Sequence, residues 1–92
     1  MNNIKINKDI ESLKSSNFDW QTIQKDMANK LGIEIYESWL KKINYLEEFS
    51  NYILLSVPTR FIRDWITSRY LDQILQIVKK YNKNIIRIEF KI

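Results

Sequence analysis

An α+β fold, in the order helix, helix, strand, strand, helix, strand, is predicted by three features of this sequence. Apolar residues recur at helical spacing from Trp20 to Ile43. Pro58 and Thr59 separate a strand-like run from a long apolar helix, and the last seven residues alternate apolar and charged. The 92 residues fit one core and no more. A hydrophobic fraction of 45% fills that core, while 28% charged residues keep the outside polar.

Met1 to Ser16 hold Asn, Lys and Ser with scattered Ile and Leu. This apolar supply is too thin to anchor a segment, so residues 1–16 are expected to form a flexible polar extension, with at most a helical turn near Ile10 to Lys14. The compact unit is expected over residues 17–92. From Asp19, the series Trp20, Ile23, Met27 and Leu31 predicts a helix to Leu31. Gly32, the only glycine, stands where a left-handed stop belongs. Ile35, Tyr36, Trp39, Leu40 and Ile43 then recur at three and four, with polar residues between them, and predict a second, shorter helix joined to the first by a tight corner.

Tyr45 to Phe49 and Tyr52 to Val57 flank Ser50-Asn51, a polar pair suited to a tight turn, so an antiparallel hairpin is expected. Pro58 lacks a ladder donor and closes the second strand, and Thr59 is placed to cap the next helix. That helix, through Tyr81, carries an apolar face wider than a surface helix needs and is expected to lie across the sheet. The alternation from Ile86 to Ile92 marks a half-buried strand.

Composition restricts the chemistry. There is no Cys and no His, which removes thiolate and imidazole nucleophiles and bases, disulfides and most transition-metal sites. A single glycine cannot supply a phosphate-cradling loop, so no nucleotide and no other cofactor is expected. Glu47-Glu48 and Glu34 with Glu37 are the acidic groupings and read as solvated surface, since neighbours on a strand face opposite ways. No enzyme activity is expected. No apolar run approaches the roughly 18 residues of a membrane span, so a cytoplasmic protein without membrane contact is expected.

The net charge of +4 suits nucleic acid, a membrane surface or an acidic protein partner. Arg60, Arg63, Arg69, Lys79, Lys80 and Lys83 lie along the third helix and just beyond it, with Asp64 and Asp72 among them. At 3.6 residues per turn they spread over its solvent side and form no single ridge. Most of the twelve aromatic residues fall on apolar stripes and are expected in the core. Trp20 at the head of the first helix and Phe61 in the first turn of the third are less easily covered, and are candidate exposed anchors for a protein interface.

Reading onward from Trp20, the segments Trp39-Leu40, Val57-Pro58-Thr59-Arg60-Phe61-Ile62-Arg63-Asp64-Trp65-Ile66 and Arg69-Tyr70 resemble the N-terminal domain of the bacterial replication initiator DnaA. The similarity covers about three quarters of the chain and leaves out the first sixteen or so residues. It implies a fold similar to KH domains, with a three-stranded sheet packed by helices. Its implied tasks are self-association of initiators at the origin, recruitment of the replicative helicase, and reception of regulatory proteins. The family's self-association aromatic falls on Trp20 and its helicase-contact phenylalanine on Phe61. An acidic residue that some members use near the start of the second helix aligns with Ile35, which is not acidic; Glu34, one place earlier, is the candidate in its stead. KH domains clamp nucleic acid with a Gly-x-x-Gly loop, which this sequence lacks. Any single-stranded DNA binding, through Arg60, Arg63 and Lys83, is therefore expected to be weak and electrostatic. A stand-alone regulator that pairs with a full-length initiator through Trp20 is the remaining alternative.

Overall fold

The computed structural model describes residues 19–92. The expected extension over residues 1–16 lies outside them. Helix α1 spans Trp20–Leu31 and begins where expected, because Asp19 holds an extended backbone and its carboxylate accepts from the Gln21 N–H at 3.1 Å and the Thr22 hydroxyl at 3.0 Å. These bonds satisfy donors that the first helical turn leaves free. Ile23 and Met27, one turn apart, form its buried stripe.

Gly32 ends α1 and opens helix α2, Ile33–Ser38. Its N–H donates to the Ala28 carbonyl and its own carbonyl accepts from the Tyr36 N–H, each at 3.0 Å. The expected positive φ is present, at 101°, but ψ is 145°, so Gly32 is extended and not left-handed helical. Only glycine enters that region without strain. The second helix is shorter than its spacing predicts. It stops at Ser38, Trp39 breaks the helix with φ −128° and ψ −53°, and Leu40–Lys42 forms a 3₁₀ turn. A 3₁₀ turn aligns residues three apart, so Leu40 and Ile43 are both buried and continue a helix-like period without an α-helix.

Strands β1, Asn44–Glu48, and β2, Tyr52–Ser56, pair antiparallel across the Ser50-Asn51 turn, which the Phe49 N–H closes on the Tyr52 carbonyl at 2.8 Å. Leu46 is an extra residue in β1, bulged between the pairs Tyr45–Leu55 and Glu47–Leu54. Thr59 then caps helix α3, Arg60–Tyr81, by accepting from the Ile62 N–H at 3.1 Å. Strand β3, Arg87–Lys91, returns parallel to β2, giving the order β1-β2-β3 with β2 central. The α+β order of helices and strands is as predicted.

β2 buries Ile53 and Leu55 and leaves Tyr52, Leu54 and Ser56 partly open, so the helices cover one face of the sheet. On the other face Tyr52 stacks with Phe49 at 4.6 Å and lies under the Arg87 guanidinium at 4.3 Å. The innermost layer is aliphatic, with Ile23 and Met27 of α1 meeting Ile66, Ile74, Ile77 and Val78 of α3. This corrects the expectation of an aromatic-rich core. None of the aromatic side chains among the described residues is fully buried; most pack around the aliphatic centre, half-exposed. A domain this small has little volume remote from its surface, and branched aliphatics fill it where wide rings reach the boundary.

Two polar ties join the layers. The Tyr81 hydroxyl donates to Asp26, which also meets Lys80 at 3.4 Å, linking α1 to α3. The Asn82 amide donates to Glu48 at 2.6 Å, linking the end of α3 to β1.

Candidate functional site

The third helix opens with its side chains turned toward the 3₁₀ corner. Phe61, in its first turn, is 64% exposed although it is a large apolar ring. Beneath it Trp65, one turn on, stacks on Trp39 with centroids 4.6 Å apart and planes 17° from parallel. Phe61 tilts against both rings, at 6.0 Å from Trp65 and 6.1 Å from Trp39. The Arg69 guanidinium lies 3.8 Å over the Trp65 ring. Trp39 and Arg69 cannot share one face of an indole at these separations, so Trp65 is held between them. Aromatic pairs and cation–π contacts each contribute about 0.5–1.5 kcal/mol, enough to order a small surface cluster.

The break at Trp39 is what brings this cluster together, since it swings the indole out of the α2 register and across to the start of α3. The indole Nε1–H of Trp65 is buried and has no acceptor among the described residues. Such an orphaned donor is rare in folded proteins.

Trp20 belongs to a second cluster. It is half-buried and stacks on Tyr45 at 5.9 Å, 26° from parallel. Burial, and then the nearby Glu48 and Glu47 carboxylates, push the Tyr45 hydroxyl above its usual pKa. Trp20 is thus a packing residue with one part of its ring in solvent, and less open than its position at a helix head suggested. Glu34 stands exposed in the first turn of α2, where a carboxylate faces the positive end of the helix dipole. Ile35, the position at which the family resemblance expects an acid, is half-buried against the core. Glu34 is therefore the acidic side chain that reaches solvent there.

The basic candidates are dispersed. Arg63 pairs with Asp64 at 3.1 Å. Arg60 opens a 22-residue helix about 33 Å long and Lys83 lies just beyond its far end, both exposed. Glu37 pairs with Lys41 at 3.1 Å, and Glu48 bonds to Asn82, so the acidic groupings take structural or solvated roles. Among the described residues no group of acidic or nitrogen or sulfur ligands could hold a metal ion, and no helix is long and apolar enough to cross a membrane. A shallow groove of about 380 Å³ lies at one end of the sheet among Leu46, Val57 and Pro58, with Lys91 as its ionisable side chain.

Trp39, Trp65 and Arg69 were not singled out as site residues by sequence reasoning. The one available signal was the four-residue spacing of Trp65 and Arg69, which places them on one helix face; nothing in local spacing points to Trp39.

The family model for the DnaA N-terminal domain matches residues 19–80. The chain is 41% identical over 70 residues to the chromosomal replication initiator protein DnaA of Rickettsia massiliae (strain Mtu5) and to that of Rickettsia rickettsii (strain Sheila Smith). It is 40% identical over 70 residues to that of Rickettsia canadensis (strain McKiel). In each case the match covers 76% of this chain and 15% of the relative, so the chain corresponds to a small part of those proteins. The cap at Thr59, the ring of Phe61 and the Trp39–Trp65 stack all lie within the matched stretch, and the chain belongs to the DnaA N-terminal domain family.

Proposed function

We propose that the chain is a protein-contact domain that serves initiation of DNA replication and catalyses no reaction itself. Phe61 is its docking residue for the replicative helicase and for regulatory proteins that share that surface. Glu34 is the acidic element of the surface, and Trp20 with Tyr45 forms a separate surface for association with other initiator copies. The observation that carries this reading is the 64% exposure of Phe61 above an ordered Trp39–Trp65 stack. A large ring held in solvent by a rigid base costs little entropy when a partner covers it, which is how interface anchors act.

The test is the affinity of the unmodified chain and a Phe61→Ala variant for the replicative helicase, by calorimetry. Loss of an anchor of about 2 kcal/mol raises Kd roughly thirtyfold, with circular dichroism unchanged. An unchanged Kd with an intact fold removes Phe61 from the role.

Weak, electrostatic binding of single-stranded DNA is the second reading. Arg60 and Lys83 favour it, being exposed with no carboxylate partner among the described residues. It predicts affinity that falls steeply with salt, and no detectable binding at low salt removes it.

A further inference from the structure

The arrangement around Phe61 also says what kind of surface can receive it. Both faces of the Trp65 ring are taken, one by Trp39 and one by Arg69. A nucleic-acid base therefore has no free indole to stack on, and single-strand platforms need successive open rings. Phe61 alone protrudes, as a knob and not as a shelf. The two elements that meet at this corner, the 3₁₀ turn and α3, carry several cations. Lys41 and Arg63 have carboxylate partners in Glu37 and Asp64. Lys42, Arg60 and Arg69 are exposed with none among the described residues.

Arg69 does two things at once. Its guanidinium braces Trp65, and through it the base on which Phe61 stands, while the residue remains exposed, on the same indole that Phe61 tilts against. A cation already ordered on an aromatic face loses less rotamer freedom when it meets an anion than a free one would.

We infer that Arg69, with Arg60, is a specificity-determining residue of the Phe61 surface, and that the partner is a protein pocket with an apolar floor that takes the Phe61 ring and a rim of Asp or Glu carboxylates that meets the two arginines. This rests on the reading of Phe61 as the docking residue. Charge complementarity supports it: Arg60 adjoins Phe61 in the chain and Arg69 lies on the Trp65 ring that Phe61 tilts against, both without a carboxylate partner among the described residues, and an acidic rim would neutralise them where a basic or neutral one would not.

The experiment measures Kd for the replicative helicase from about 50 to 300 mM salt. The proteins are the unmodified chain, Phe61→Ala, Arg60→Met, Arg69→Met and Arg69→Lys, each with its thermal midpoint. Methionine keeps bulk and apolar contact with Trp65 while removing the charge. Arg69→Met is expected to weaken binding about tenfold at the lowest salt and to flatten the salt dependence. Arg69→Lys is expected to recover most of the affinity at low salt. Phe61→Ala is expected to weaken binding by a similar factor at every salt.

A merely structural role for Arg69 would lower the thermal midpoint without changing the salt slope, and that result overturns the inference. Unchanged affinity and slope in both arginine variants, with binding lost in Phe61→Ala, overturns the acidic rim and leaves the docking residue in place. Unchanged binding in Phe61→Ala, or no binding by the unmodified chain, overturns both. If a single-stranded oligonucleotide binds and loses affinity on Arg69→Met while the helicase does not, the arginines serve nucleic acid and the inference falls.

Discussion

Trp20 at the head of α1 stacks on Tyr45 of β1, 5.9 Å away and 26° from parallel, so the residue expected to mediate association also fastens the first helix to the sheet. Truncating it removes a half-buried ring. Trp20→Ala is expected to lower stability by about 2–3 kcal/mol, below the 3–5 of a fully buried aromatic, read as a reduced urea midpoint. Trp20→Phe keeps a ring on Tyr45 and is expected to lose no more than about 1 kcal/mol. Association is therefore best read in the Phe variant by light scattering, where a loss with the urea midpoint retained assigns the contact to the indole.

Gly32 supplies a second prediction. A Cβ added there would meet no atom within 4 Å, so any loss comes from the backbone and not from crowding. Gly32→Ala is expected to destabilise by about 1–3 kcal/mol in urea unfolding. Asn tolerates the left-handed helical region but not ψ near 145°, so Gly32→Asn is expected to be as unstable as the Ala variant. Recovery by Asn would show that the corner relaxes into an ordinary left-handed stop.

The Asp26–Tyr81 tie makes stability depend on pH at both ends of the scale. The Tyr81 hydroxyl, and after it Lys80, hold the Asp26 carboxyl below its usual pKa despite some desolvation. That contribution is present above the unfolded carboxyl pKa of about 4 and is lost as pH falls through the lower folded value. Hydrogen bonding to Asp26 raises the Tyr81 pKa, with burial adding to it. The matching contribution is present below about pH 10 and is lost as pH rises through the raised folded value. Tyr81→Phe is expected to flatten both limbs of a plot of thermal midpoint against pH and to move the Asp26 carbon-13 titration upward. Unchanged limbs would mean that the bond does not persist in solution.

Thr59 caps α3 directly ahead of the candidate site. Thr59→Ala is expected to cost about 1 kcal/mol of stability and Thr59→Ser only a few tenths, measured by chemical unfolding. Hydrogen exchange of the Ile62 and Arg63 amides would show whether the loss is confined to the first turn.

Local chemistry made much of the fold legible. Asp19 and Pro58 with Thr59 each act on their own neighbours and produced the expected helix starts, while the alternation of Ile86 to Ile92 produced a strand one residue shorter at each end, Arg87–Lys91, with Ile86 and Ile92 exposed. The features that escaped have non-local or degenerate signals. Leu40 and Ile43 have the same three-residue spacing in an α-helix and in a 3₁₀ turn, so periodicity could not reveal the break at Trp39. The bulge at Leu46 is one added residue in a run that reads as a strand either way. The exposure of Phe61 was legible from its place in a first turn, but the stack under it was not. Trp39 and Trp65 meet only because the chain between them folds into a hairpin.

The outer edge of β3 carries its own instruction about how copies can meet. Arg87, Glu89 and Lys91 lie on one face of a strand bonded on one side to β2. Two copies pairing these edges antiparallel over all five residues would set Arg87 opposite Lys91 and Glu89 opposite itself. Like charges directly opposed are unfavourable, and any shift that relieves them shortens the ladder. The strand thus resists growth of the sheet across this edge from molecule to molecule, a safeguard that edge strands need.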